Sequence, residues 1–401
     1  MKNKKIAIIS HVNPFSKGSG QVQRVFNMVQ ALSADFDVEI YTMNELMSDK
    51  DRIKIITDIN PQTRINYSKS SKAIFLLGII FHLLPFLGYG KKSNWVLPMI
   101  FKNLPINYLK TFDFILFEYW HLYKIGKKLR DNGVKVICDT HNILLGSYVQ
   151  WISKKRYLPK FWRKYLIYRY TKFEFETALE TGFQELIAIN HEEYQILRDK
   201  FAKKKIHYCP MGVKLPSIQS NYVKEFKGEK IVYYGGLGNN KNEADAKIVI
   251  DLYRNLKLII PNLTLKIIGS NPSTDLKNYV NNDSNIDLTG YVEDLEFCLK
   301  DVDVAVIPFS GKYGFRSRLI ELMYYQIPIV TSSDAIWGMG FTINKDIMIY
   351  SDLHMLASDA KSIIQDISKL RVIADSAREK VIREYSFEAT YVEFSRKMLQ
   401  A

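Results

Sequence analysis

Cysteine is scarce in this chain of 401 residues. Cys138, Cys209 and Cys298 lie far apart, without the C-x-x-C or Cys/His spacing that metal sites use. They read as buried thiols of a reducing compartment, and no metal or resident cofactor is expected. Long apolar runs are also missing. The most apolar stretch, "AIFLLGIIFHLLPFLGY" (73–89), is broken by Gly78, His82 and Pro85. It falls short of the roughly 20 residues that a spanning helix needs. It reads as a buried or hairpin helix, with a segment dipping into one membrane leaflet as the alternative. There is no repeat of 20–50 residues, no low-complexity tract, no G-x-G-x-x-G and no P-loop. The opening "MKNKKIAIIS" has a basic flank, but its apolar core is too short for a signal peptide, and it reads as a first β-strand.

Acidic residues are absent from one whole stretch, "WISKKRYLPKFWRKYLIYRYTKF" (151–173), which carries eight Lys/Arg interleaved with aromatic residues. Three readings stand for it: an anionic lipid surface, a solvated helix whose aromatics face the core, or nucleic acid. Nothing else in the chain resembles a nucleic-acid module, and no nucleic-acid partner is expected. The formal net charge of +14 is unevenly placed. Residues 1–213 hold 33 Lys+Arg against 18 Asp+Glu, whereas residues 214–401 hold 23 against 24. The basic excess belongs to the first half and points to an anionic partner there.

What the chain does have is rhythm. Short apolar runs alternate with helical patterns: "KIAIIS" (5–10), "DVEIYTM" (37–43), "DFILFEY" (113–119) and "VKVICDT" (134–140) in the first half. "KIVYYGG" (230–236), "LTLKIIG" (263–269), "VDVAVIP" (302–308) and "IPIVTS" (327–332) follow in the second. Strand, helix, strand at this spacing predicts parallel sheets with crossover helices. The fold class is α/β, with two Rossmann-like doubly wound domains facing a cleft. The boundary falls in the Pro- and Gly-containing polar stretch 210–230. Domains are expected over 1–213 and 214–384, with a C-terminal helix over 385–401 packing back on the first.

Ligands of open α/β sheets bind beyond the carboxyl ends of the strands. Three strand ends stand out. "SKGSGQ" (16–21) places Gly18, Ser19 and Gly20 just before a helix, where backbone N–H groups can approach an anion. "DTHNILLG" (139–146) places His141 at a strand end. "FSGKYGFRSRLIE" (309–321) predicts a helix from near Phe315 that opens on Arg316 and Arg318, although the helix dipole disfavours cations there. An anion seated at that end would resolve the conflict. A diphosphate would accept from both guanidinium groups and from the backbone amides around Gly314 and Phe315. Glu321, one turn on, would accept from the hydroxyls of a ribose.

These segments, with "YCPMGV", "YYGGLGNNKNEADA", "LKIIGSNP" and "LTGYVEDLEFCLKDVDVAVIPF", resemble in order the family 4 (group 1) glycosyltransferases of the GT-B fold. The resemblance implies roles. Gly18 and Gly20 would face the donor diphosphate, and His141 would sit near the transferred sugar and act in catalysis. Gly236 and Lys241 would lie at the donor loop, Lys241 on the diphosphate and Gly236 on the nucleoside. Tyr291 and Val292 would line the nucleobase pocket. Arg316 and Arg318 would bind the diphosphate and act in catalysis, and Glu321 would bind the nucleoside. Two positions depart from the pattern: Tyr313 replaces the first of two glutamates eight positions apart, and Gly236 replaces an Arg.

The resemblance implies a cytoplasmic transferase, peripheral on the inner face of the plasma membrane. It would move a sugar from a nucleotide-diphosphate-sugar to a glycan or polyprenyl-linked acceptor, with retention, in bacterial surface polysaccharide synthesis. A GT-B sugar-nucleotide epimerase and a non-catalytic membrane adaptor with a decayed site are the alternatives.

Overall fold

A computed structural model describes residues 4–17, 20–68, 96–215, 224–280, 283–312, 314–350 and 364–400. The apolar stretch 73–89, Gly18, Tyr313 and part of the polar stretch 210–230 lie outside the described residues. The chain forms two compact units. One comprises Met1–Gly212, Tyr313–Phe315 and Phe387–Ala401; the other comprises Val213–Lys312 and Arg316–Ser386.

The first unit is built on seven parallel strands: β1 (Lys5–Ser10), β2 (Asp37–Met43), β3 (Arg64–Ser68), β4 (Phe114–Glu118), β5 (Val136–Asp139), β6 (Glu185–Ala188) and β7 (Lys205–Tyr208). Their order is β3-β2-β1-β4-β5-β6-β7. The pleat sorts side chains to two faces. Ile6 and Ile8 of β1 join Phe114 and Leu116 of β4 in one apolar cluster. Ala7 and Ile9 join Ile115 and Phe117 in another. With both faces covered, the strands read as continuous apolar runs.

Helix α1 (Gly20–Asp35) lays Val25, Met28, Val29 and Leu32 against the first of these faces, at i, i+3, i+4, i+7 spacing. Further helices of this unit are α2 (Leu144–Ser153) and α3 (Lys160–Thr171). Phe387, Tyr391, Phe394 and Met398 complete the same cluster as α1, although they follow the second unit in sequence. Ser395 Oγ donates to Asp35 at 2.6 Å.

The second unit has six parallel strands: β8 (Lys230–Tyr234), β9 (Thr264–Ile268), β10 (Ile286–Gly290), β11 (Val304–Ile307), β12 (Ile329–Thr331) and β13 (Met348–Ile349). They are ordered β10-β9-β8-β11-β12-β13. Its helices include α4 (Asn240–Lys257), α5 (Ser317–Tyr324) and α6 (Ile367–Tyr385). In both sheets the strand order reverses once, at β1/β4 and at β8/β11. Those reversals open the crevices in which doubly wound sheets bind ligands.

Among the described residues, no helix is long and apolar enough to cross a membrane. In the stretch without acids, α3 turns Phe161 (67% exposed), Trp162, Tyr165 and Tyr168 outward and buries only Tyr170. The reading in which these aromatics face the core therefore fails for four of the five aromatic residues of α3. A helix placed on the surface by its basic residues has no room inside for its rings as well.

Candidate functional site

The second unit gathers its chemistry at β8/β11. Strand β8 ends at Tyr234, and Gly235 follows, buried, with its N–H on the Ile268 carbonyl at 3.0 Å. A Cβ on Gly235 would lie 2.5 Å from Arg318 Nη1. A Cβ on Gly269, beside it, would lie 2.0 Å from the Gly235 carbonyl oxygen. The loop can approach its neighbours this closely only because both positions lack a side chain. Gly269→Ala should thus destabilise this unit by at least about 1–3 kcal/mol, read by chemical denaturation. A wild-type transition would show that the backbone there yields freely.

Gly236 is exposed, and its carbonyl accepts from Asn242 Nδ2 at 2.6 Å. Asn239 caps α4 by accepting from the Asn242 N–H. One residue into α4, Lys241 donates to the Ser310 carbonyl at 3.1 Å, and its ammonium lies 3.8 Å from the centre of the Phe309 ring. The Arg316 guanidinium lies 3.5 Å from the same ring centre. Phe309 is thus a platform that holds two cations by its quadrupole.

Helix α5 starts at Ser317, not near Phe315 as expected. Gly311 at φ +104° and Gly314 at φ +68° keep the approach in a loop. Arg316, at φ −110°, is the N-cap and makes no side-chain cap bond. No acidic residue stands in the first turn. The positive end of α5 and two cations therefore coincide beyond β11.

Arg318, the second residue of α5, is placed differently. Its Nη1 donates to the Tyr234 carbonyl at 3.3 Å and lies 3.5 Å from the Tyr233 hydroxyl. Glu321 is half-buried and accepts from the Tyr234 hydroxyl at 2.7 Å. Burial pushes the Glu321 carboxyl up, and the Tyr234 hydroxyl opposes that shift. Asp245 of α4 is buried with Oδ2 unpartnered; desolvation pushes its carboxyl up, against the pull of Arg318 and Lys241. Tyr291 and Val292 stand apart: they leave edge strand β10, and Tyr291 is 74% exposed. The structure thus brings Lys241 and Arg316 together on Phe309, and Arg318 and Glu321 onto the end of β8.

The first unit has its own constellation at the ends of β4 and β5, whose register sets Glu118 beside Asp139. Gly20 is the exposed first residue of α1. Arg24, further along α1, is fully buried and meets Asp139 with two bonds, Nε to Oδ2 at 2.8 Å and Nη2 to Oδ1 at 3.0 Å. Its Nη2 also donates to the Cys209 carbonyl. His141 takes φ +57°, with its N–H on Asp139 Oδ1 at 3.1 Å. Its Nε2 shares a 2.5 Å hydrogen bond with Glu118 Oε2.

Tyr119, at φ +72°, stacks its ring on His141 at 4.0 Å between centres. Non-glycine residues held at positive φ cost about 1–3 kcal/mol each and cluster at functional sites. Burial and the nearby Asp139 push the Glu118 carboxyl up, against the pull of His141 and Arg24. Glu118, Asp139 and His141 offer ligand atoms within 4.8 Å of one another. Both Asp139 oxygens, however, are committed to Arg24, whose charge balances the cluster. Glu174, also buried, accepts from the N–H groups of Leu144 and Leu145 at 2.7 and 2.8 Å and so caps α2. Burial pushes its carboxyl up to about 8, despite these donors.

Phe309, Tyr234, Glu118 and Arg24 were not singled out from the sequence. Arg24 alone left a signal there: a cation on the apolar face of a predicted helix needs a buried partner.

Residues 228–370 match the family model described as "Glycosyl transferases group 1". That region, about a third of the chain, is similar to the group 1 glycosyltransferases. No curated protein matches this chain. Among solved structures, it resembles sucrose-phosphate synthase from Thermosynechococcus elongatus at 18% identity and TM-score 0.66, over 99% of this chain and 98% of that one. HepE of Anabaena, solved with UDP and glucose, matches at 10% identity and TM-score 0.62, over 99% of both chains. A mutant of S. aureus TarM, solved with Fondaparinux, alpha-GlcNAc-glycerol and UDP, matches at 14% and 0.61, again over 99% of both. At such identities the likeness establishes the fold: two doubly wound α/β units, the architecture of the GT-B glycosyltransferases.

Proposed function

We propose that this protein is a group 1 glycosyltransferase, which moves a sugar from a nucleoside diphosphate-sugar to a hydroxyl of a glycan or polyprenyl-linked acceptor. The observation that carries this reading is the positive end of α5 with Arg316 and Lys241 held on Phe309. Breaking the bond between the anomeric carbon and the donor oxygen sends its electron pair onto the diphosphate. Donors fixed where that charge develops lower the barrier. The acceptor oxygen bonds to the anomeric carbon, and its proton passes to the departing phosphate. Retention of configuration is part of the proposal. Glu321 holds the ribose, and Arg318 keeps the end of β8 in place beneath it. That HepE and TarM were solved with UDP supports a nucleoside diphosphate as the ligand class.

The test is a calorimetric panel of nucleoside diphosphates and their sugars on the purified protein, followed by product analysis with and without acceptor. Binding together with acceptor-dependent release of the nucleoside diphosphate is expected. Failure to bind any of them would leave a non-catalytic adaptor. Conversion of the donor alone would indicate an epimerase.

The acceptor side of the proposal is a membrane one: the enzyme sits on the inner face of a bacterial plasma membrane, in surface polysaccharide synthesis. Its support is the exposed face of α3, where Arg169 and the neighbouring Lys172 lie over Tyr165 and Tyr168 at 5.8 and 5.4 Å. Aromatic rings at headgroup depth with cations beside them suit an anionic surface. Flotation with anionic vesicles should show binding at low salt that fades as salt rises toward about 1 M, where screening shortens to about 3 Å. No flotation at low salt would point to a soluble acceptor.

A further inference from the structure

We infer that Tyr234 is a positioning residue for ribose recognition, fixing the carboxylate of Glu321 so that the pair, rather than Glu321 alone, distinguishes ribose from deoxyribose. This rests on the proposal above that Glu321 holds the ribose.

Tyr234 is the last residue of β8, and Glu321 lies in the second turn of α5, 87 positions away. Their hydroxyl-to-carboxylate distance is 2.7 Å. Tyr234 is itself held: its carbonyl accepts from Arg318 Nη1, and the N–H of the following Gly235 bonds the Ile268 carbonyl. These bonds fix the backbone from which the tyrosine projects, and its ring has two torsions where the glutamate has three to lose. Both residues keep part of their surface accessible.

A carboxylate offers about four lone-pair sites on two oxygens. Tyr234 takes one on Oε2 and so sets the plane of the group before any ligand arrives. A ribose hydroxyl then meets an acceptor whose orientation has already been fixed, and less rotamer entropy is lost on binding. Without Tyr234 the carboxylate would rotate, and the hydroxyl would have to order it. A 2′-deoxyribose keeps only its 3′-hydroxyl and gains less from that order. The effect of Tyr234 is thus larger for the ligand with both ribose hydroxyls, and a general packing role would not show this selectivity.

The experiment measures Kd by calorimetry for UDP, GDP and ADP and for dUDP, dGDP and dADP on the full chain. Wild type, Tyr234→Phe and Glu321→Gln are compared, with thermal melting as the fold check. For the base that binds, wild type should prefer the ribonucleotide. Tyr234→Phe should weaken the ribonucleotide about five- to tenfold, the worth of one hydrogen bond. It should weaken the deoxynucleotide by a smaller factor, so that the preference for the ribonucleotide narrows. Tyr234→Leu carries the same expectation if the Phe variant misfolds. Equal weakening of both ligands, or an unchanged ratio, overturns the inference. If Glu321→Gln abolishes the preference while Tyr234→Phe keeps it, only the role of Tyr234 falls. If Glu321→Gln keeps the preference, or wild type shows none, the ribose assignment of Glu321 falls, and the inference with it.

Discussion

Arg316→Ala should lower turnover by about 10²–10³-fold while leaving the melting temperature close to that of wild type, a loss typical of removing one preorganised donor to a developing anion. The asymmetry follows from where the residue stands. As the N-cap of α5 it lies outside the hydrogen-bonded helix, and its side chain rests on Phe309 rather than in the core. Removing it takes a cation from beside the leaving group and disturbs little packing. Arg316→Lys keeps the charge but loses the planar fork, and should fall between the two. Phe309→Leu should show part of the same loss, because both cations would lose the surface that positions them. Steady-state kinetics with a saturating donor, alongside melting curves, decides. Undiminished turnover in Arg316→Ala would remove this residue from catalysis.

The second large effect belongs to the first unit. Asp139→Ala leaves the Arg24 guanidinium buried, with the Cys209 carbonyl as its remaining acceptor of those described above. Breaking a buried ion pair from one side costs about 3–5 kcal/mol. Asp139→Asn should cost nearly as much, because it keeps the shape and removes the charge. The double replacement Arg24→Met with Asp139→Leu should recover a large part, since neither charge then needs compensation. Full recovery is not expected, because Asp139 also accepts from the His141 N–H and so helps hold that residue at positive φ. Denaturant titrations of the single and double variants measure each quantity. A mild effect for Asp139→Ala would mean that water reaches the pair.

The central strands were legible in the sequence because parallel sheets bury both faces. β1, β4 and β5 in the first half, and β8, β11 and β12 in the second, are nearly continuous apolar runs, and β2 and β9 are apolar but for Glu39, Thr42 and Lys266 inside them. β3 and β7 were not. They are edge strands, half-exposed, and "RINYS" and "KIHY" carry no apolar run. β6 was short and lay between two helical patterns. At the site, Arg316, Arg318 and Glu321 could be read from charge at a helix start, and the chain's own glycines then moved that start by two residues. Phe309, Tyr234 and Glu118 could not be read in this way. Each matters through one long-range meeting that strand order and register create, as when β4 and β5 align Glu118 with Asp139. Such meetings leave no local pattern.

The core of the first unit is closed by Phe387, Tyr391, Phe394 and Met398, which lie beyond the whole second unit in sequence. Synthesis runs from the N-terminus, so the earlier-made unit must wait, its α1 face uncovered, until the later one has been made. The second unit folds as an insert. The first keeps the stretch Val213–Ser386, about 170 residues, as a loop to close, at an entropic cost that grows only logarithmically with length. Severing the chain after Ser386 should therefore leave the second unit whole and the first sticky, prone to aggregate or to be held by chaperones.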